Sequence, residues 1–128
     1  MAVTSTQLLE GFAFEIKVDT FTIRTDVKEK LGGQNSAPDP HDYLEASLAA
    51  CTAITVQMYA KRKGIPLDYA NVNVKITAEG VQNEISREVT LMGALTDEQK
   101  TQLLAIADKC PIHKFLSKGA VIHTQLTS

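Results

Sequence analysis

The chemistry of this chain rests on two cysteines. Cys51 lies inside "ASLAACTA" (46–53) and Cys110 inside "KCPIHKFL" (109–116). A cysteine directly before a proline, where one helical pattern stops and another begins, has two readings. One is packing, because a free cysteine behaves as a small hydrophobe. The other is reactivity. Pro111 suits the first position of a helix, which makes Cys110 its N-cap. The unpaired N–H groups there favour an anion and lower a thiol pKa. Cys51 sits in the middle of a helical pattern, on an apolar face, where burial raises a thiol pKa. A reactive Cys51 therefore needs a cation or hydrogen-bond donor beside it, and Arg24, Arg87, His41 and His113 are the candidates. His113 follows Cys110 by three residues, and a C-x-x-H pair can bind metal. Cys51, Cys110, His113 and His41 could make up four ligands, but no C-x-x-C pair supports a zinc site. No metal and no cofactor are expected.

These residues need a frame. "FAFEIKV" (12–18) alternates with Phe12, Phe14, Ile16 and Val18 on one face, and "FTIRT" (21–25) continues it after an Asp19-Thr20 turn. This predicts an antiparallel hairpin. "LGGQNSAPDP" (31–40) has the residues of a loop. A long helix is expected over 41–63, with Asp39 as N-cap and Pro40 in the first position. On it Leu44, Leu48, Cys51, Thr55 and Met58 share a face. Residues 46–53 are small and apolar nearly all round, as in a helix surrounded by protein. Gly64 and Pro66 end it. Strands are expected at 72–78 and 87–93, joined by the polar "EGVQNEIS". A helix follows, started by a Thr96–Gln99 capping box, with Leu103, Ile106 and Ala107 as its buried stripe. Cys110-Pro111 ends it and opens a short helix through Leu116, with Gly119 beyond. "AVIHTQL" (120–126), which includes His123, reads as a last strand. The order ββ-α-ββ-α-α-β has no βαβα alternation, so the fold class is α+β with antiparallel sheets, in a single domain over 1–128. The N-terminal hairpin needs the last strand or another subunit to complete its sheet.

The bulk properties narrow the partners. The chain has 128 residues, 44% apolar and 22% charged, with a formal net charge of -2. No basic stripe argues for nucleic acid. No apolar run approaches the ~20 residues of a membrane span. The N-terminus lacks the basic start and apolar stretch of a signal peptide, which reads as a cytoplasmic protein. Two cysteines are too few for a disulfide framework, which leaves two buried side chains or a redox pair.

"GGQNSAPDPHDYLEASLAACTAITVQMYAKRKG" followed by "CPIHKFL" resembles the OsmC/Ohr family of hydroperoxide reductases, named for osmotic induction and organic hydroperoxide resistance. The resemblance runs from "DVKEKLGG" to the expected last strand. Its specific parts are a Pro-rich loop before a long cysteine-bearing helix and a Cys-Pro step before a short one. It implies an α+β homodimer of intertwined chains, with the long helices central and each active site drawing on both subunits. It also implies that Cys51 is the peroxidatic thiol and Cys110 the resolving one. Peroxide is the small-molecule substrate, Cys51 passes through a sulfenic acid, and a Cys51–Cys110 disulfide follows. An external dithiol, for this family often lipoyl-linked, then restores both thiols.

The family's reductases carry a Glu ten residues before the first cysteine, where this chain has His41. A looser OsmC-like branch has its Glu nine residues before, where this chain has Asp42. The family also uses an Arg from the N-terminal strands to hold the thiolate, and Arg24 is the arginine of that region. The pattern is that of the looser branch. Three functions compete: a thiol-dependent peroxidase, a binding or stress protein on the same scaffold with little turnover, and a purely structural role for both thiols.

Overall fold

A computed structural model describes residues 4–128. The described chain divides between Glu45 and Ala46 into two compact units. The first carries an antiparallel sheet of β1 (Thr4–Glu10), β2 (Ala13–Val18) and β3 (Phe21–Thr25), in that order. The predicted hairpin is present: Val18 pairs with Phe21 across the two-residue turn Asp19-Thr20, and Asp19 takes a positive φ. The third strand, β1, was not anticipated. Its residues are exposed throughout, so it shows no inward-outward alternation to read. It is positioned by pairing with β2 across a turn at Gly11, with an irregularity between Leu8 and Glu10. The expected need for an outside strand to complete this sheet is thereby corrected, since β1 supplies it.

After β3 the chain folds around one carboxylate. Asp26 is buried, and its oxygens accept from the N–H groups of Val27, Gln34 and Ser36 and from the Ser36 hydroxyl. The Ser36 hydroxyl leads the contributions that hold its pKa down, at about 2. The loop ends at α1 (Pro40–Lys63) with a reciprocal cap. Asp42 N–H donates to Asp39 Oδ1 (2.8 Å), and Asp39 N–H donates to Asp42 Oδ2 (2.9 Å). This is the capping-box arrangement with two aspartates. At the other end Gly64, with φ 66°, donates to the Lys61 carbonyl and Ile65 to the Ala60 carbonyl. That pair of bonds is a Schellman motif, which needs the left-handed residue that glycine supplies.

The buried stripe of α1 is Leu48, Thr52, Val56 and Ala60, at intervals of four. The face expected from Leu44 to Met58 is offset from it, and both of those residues are exposed. In the second unit, Val56 and Ala60 pack with Leu67 and with Leu103 and Ala107 of α2 (Asp97–Ala107). The Thr96–Gln99 capping box forms as predicted. β4 (Leu67–Ala78) and β5 (Glu84–Gly93) make a two-stranded antiparallel sheet, longer than expected at the start of each strand. α3 (Pro111–Lys118) closes the ordered elements. Residues 120–126 form no strand. Alternation makes a strand only where an edge accepts its hydrogen bonds, and this segment pairs with none among the described residues. Of the described helices, none is long and apolar enough to cross a membrane. The α+β class with antiparallel sheets stands as expected.

Candidate active site

The backbone turns sharply between α2 and α3, and Cys110 sits in that turn. Its N–H donates to the Ala107 carbonyl (3.4 Å), the last turn of α2. Its Sγ accepts from the His113 N–H (3.4 Å), which makes the sulfur the N-cap of α3, with Pro111 in the first helical position. This is the arrangement read from the sequence. The sulfur is wholly buried, at 0% exposure.

Cys51 lies midway along α1 and is half-buried. Its Sγ stands 4.0 Å from the Thr55 hydroxyl one turn on. The structure places the two thiols close enough to act on each other's ionisation. Both are free thiols.

The two sulfurs share their environment unequally. Burial pushes the Cys51 thiol up, and the neighbouring Cys110 sulfur adds to this as an acceptor and as a like charge. The Ile112 N–H and the Thr55 hydroxyl oppose it, but the net direction is upward. Burial pushes Cys110 up as well. There the Cys51 thiol, the His113 N–H, the Thr52 hydroxyl and the Ile112 N–H outweigh it, and the net direction is downward. The two thiols are thus pushed in opposite directions, Cys51 up and Cys110 down. Both directions match the sequence reading of a helix-start thiol against an apolar-face thiol.

The candidate cations are placed differently. Arg87 comes from β5 and reaches Thr52 Oγ1 (3.1 Å), the Ala107 carbonyl (3.3 Å) and Asp108 Oδ1 (2.7 Å). His113 lies in α3, with Nδ1 3.9 Å from Asp108 Oδ1. Arg24, His41 and Asp42 belong to the first unit. Arg24 stands opposite Glu15 in the β2–β3 ladder, and its carbonyl accepts from the Tyr43 hydroxyl. His41 is exposed in the first turn of α1. The Asp42 carboxylate accepts from the Asp39 N–H and lies 3.8 Å from Lys28 Nζ. Among the described residues no three His, Cys, Asp or Glu side chains gather as a metal site.

A cleft of about 340 Å³ is lined by Thr55, Met58, Tyr59, Ile106 and Pro111 together with Arg62 and Lys109. Thr55 is the neighbour of the Cys51 sulfur and Pro111 follows Cys110, so residues next to both cysteines contribute to the cleft. Thr52 was not singled out from the sequence. Its signal was present: a β-branched hydroxyl next to Cys51, in an otherwise apolar run, on the buried i, i+4 stripe.

Among curated proteins, none matches the chain. The model of the family described as OsmC-like protein matches residues 33–125, and the chain belongs to that family. Solved structures agree in fold. An OsmC-like protein from Mycoplasma pneumoniae is 20% identical, with 91% of this chain and 87% of that chain covered and a TM-score of 0.78. An organic hydroperoxide resistance protein OsmC from Legionella pneumophila is 18% identical, covering 88% and 87%, with a TM-score of 0.67. An organic hydroperoxide resistance protein from Elizabethkingia anophelis is 20% identical, covering 89% and 87%, with a TM-score of 0.64.

Proposed function

We propose that this chain is a thiol-dependent peroxidase that reduces organic hydroperoxides or hydrogen peroxide in the response to oxidative stress. The observation that carries the reading is the pairing of two free thiols that act on each other's ionisation in opposite directions and differ in exposure. Membership in the OsmC-like family supports it.

Exposure supports the division of roles. Cys110 is closed to solvent, whereas Cys51 is half-buried beside a partly apolar cleft suited to a peroxide with an organic tail. Cys51 is the peroxidatic thiol, which attacks the peroxide, and Cys110 is the resolving one. The Cys51 proton passes to the Cys110 thiolate, leaving a Cys51 thiolate. That thiolate attacks the distal peroxide oxygen and the O–O bond breaks. Cys51 becomes a sulfenic acid, and the departing alkoxide takes the proton from Cys110 to leave as an alcohol. The Cys110 thiolate then attacks the Cys51 sulfur, the S–O bond breaks, and hydroxide leaves to become water with a solvent proton. Two thiols have supplied the two electrons. An external dithiol, lipoyl-linked in the family pattern, reduces the disulfide, and a reducing cytoplasm keeps both thiols free between turnovers. The same pattern assigns Arg24 as the cation that stabilises the Cys51 thiolate, with His41 and Asp42 in the slots of the usual acidic residue.

The working form is a homodimer. Apolar side chains stand exposed on both units: Leu8, Phe12 and Phe21 in the first, Ile54, Met58 and Tyr69 in the second, and Val121, Ile122 and Leu126 in the unpaired C-terminal segment. A monomer rarely leaves so much apolar surface in water. The two-stranded β4–β5 sheet also has open edges that a second chain can pair.

A second reading, an OsmC-like binding or stress protein with little turnover, is favoured by one feature: burial pushes the Cys51 thiol up, away from the reactive thiolate. Steady-state peroxide reduction with a dithiol, comparing hydrogen peroxide with a bulky organic hydroperoxide, separates the two. Turnover with loss of two thiols per chain is expected, and faster for the organic substrate. Stoichiometric oxidation without turnover would favour the second reading.

A further inference from the structure

A second cleft, of about 270 Å³, shares no lining residue with the one lined by Thr55 and Pro111. Ligand pockets run from roughly 300 to 1,000 Å³, so this one suits a small molecule. Its polar lining is Asn83, Arg87, His113 and Ser117, and its apolar lining is Leu48, Ile85 and Leu116. The strand pattern sorts the charge. Ile85 and Arg87 fall on one face of β5, and Glu84 and Glu88 on the other. α3, which carries His113, Leu116 and Ser117, has no acidic residue. The cleft is therefore lined without a carboxylate.

Its polar groups have donors to spare. Arg87 is held in place by three bonds, from Nη1 to the Thr52 hydroxyl and the Ala107 carbonyl and from Nη2 to Asp108 Oδ1. A guanidinium carries five N–H groups, so the Nε–H and one Nη2–H are left over. The Arg87 side chain is only 13% exposed. Among the described residues no buried side-chain nitrogen or oxygen lacks a partner, so the unpaired Nε is open to solvent. The same holds for Nε2 of His113, whose Nδ1 faces Asp108 at 3.9 Å. Asn83 Oδ1 accepts from the Gly80 N–H (2.9 Å), which leaves the amide N–H groups as the free end of that side chain. Ser117 adds a hydroxyl.

Spare donors, no lining carboxylate and three aliphatic side chains define the ligand. A bare inorganic anion would leave the aliphatic wall unused. A neutral apolar molecule would cover the donors without meeting them, which is unfavourable. We propose that this cleft binds a small organic carboxylate, with its charge on Arg87 and His113 and its apolar body against Leu48, Ile85 and Leu116. Asp108 already pairs with Arg87, but its side chain is 67% exposed. An ion pair so wetted is weak, and it leaves the guanidinium able to attract a second carboxylate that is less exposed. None of these residues has a step in the reaction proposed above, so the site stands apart from it. Arg87 also ties the site to the turn that carries Cys110, because the Ala107 carbonyl accepts from both Arg87 and the Cys110 N–H.

The test is a titration of sodium benzoate into reduced full-length protein labelled at its Ile and Leu methyl groups, followed by NMR. The methyls of Leu48, Ile85 and Leu116 should shift together along a single saturable curve. Benzamide has the ring without the charge and should bind about tenfold more weakly. Inorganic phosphate has the charge without the ring and should also bind more weakly than benzoate. Ser117→Asp places a carboxylate at the exposed rim and should weaken benzoate binding about tenfold. Arg87→Met should weaken it at least as much, and if that variant does not fold, Ser117→Asp decides. No saturable shift of the three methyls would overturn the proposal, as would be seen if a second copy of the chain filled the cleft. Benzamide binding as well as benzoate would overturn it too, because the site would then read the apolar body alone. So would phosphate binding as well as benzoate, which would make it a bare anion site.

Discussion

Cys51 and Cys110 differ in what surrounds them, and the difference has a pH signature. Cys51 is raised by burial and further by the Cys110 sulfur. Cys110→Ser removes the like charge and leaves the burial. Sulfenic-acid formation at Cys51 should then reach half its maximal rate at lower pH than in the parent protein, as single-turnover oxidation followed across pH will show. A profile displaced to higher pH would mean that losing Cys110 as proton acceptor outweighs losing its like charge. At this scale the sequence was informative about type and direction. The Cys-Pro step made Cys110 an N-cap, and the apolar run put Cys51 on a desolvated face. What it did not reveal was contact. That Thr52 and Arg87 complete the cluster depends on how β5 packs against α1 and α2, and no local pattern encodes a side chain reaching across elements.

Capping and turn chemistry made several elements legible in advance, because those signals are local. Asp39, Thr96 with Gln99, and Gly64 all act where the sequence placed them, and Asp42 adds a reciprocal bond to Asp39 that was not anticipated. β1 and the absent last strand were misread for the opposite reason: a strand depends on an edge supplied from elsewhere. Gly64→Ala tests the α1 stop. Nothing lies within 4 Å of an added Cβ, so the cost is purely conformational, at φ 66°. It should amount to about 1 kcal/mol in denaturant unfolding. Asp26 organises the loop before α1, and its sign follows from its depressed pKa. Its contribution is full above 3.8, the ordinary value, and is lost as pH falls toward about 2. Asp26→Asn should therefore be less stable than the parent at neutral pH and less sensitive to acid through that window. Parallel acid curves for the two would contradict this.

The whole molecule has a small core for its length. Val56, Ala60, Leu67, Leu103 and Ala107 form the buried cluster of the second unit, while large apolar residues remain exposed on both units. The chain should therefore sediment as a dimer across micromolar concentrations, and dilution should unfold it as it dissociates. A folded monomer with full secondary structure would count against the homodimer. Oxidation should stabilise each chain in turn. The cysteines stand 59 residues apart, and closing that loop is worth about 4 kcal/mol in the chain-entropy account.

The central claim is that peroxide oxidises Cys51 first and Cys110 resolves it. Trapping with a dimedone-type reagent in the two single-cysteine variants tests it most directly. In Cys110→Ser, one equivalent of peroxide should give a sulfenic-acid adduct on Cys51, located by peptide mass spectrometry. In Cys51→Ser, Cys110 should stay unmodified, because it is buried and has no accessible peroxide site. An adduct on Cys110 in Cys51→Ser, with none on Cys51 in Cys110→Ser, would contradict the account and reverse the two roles.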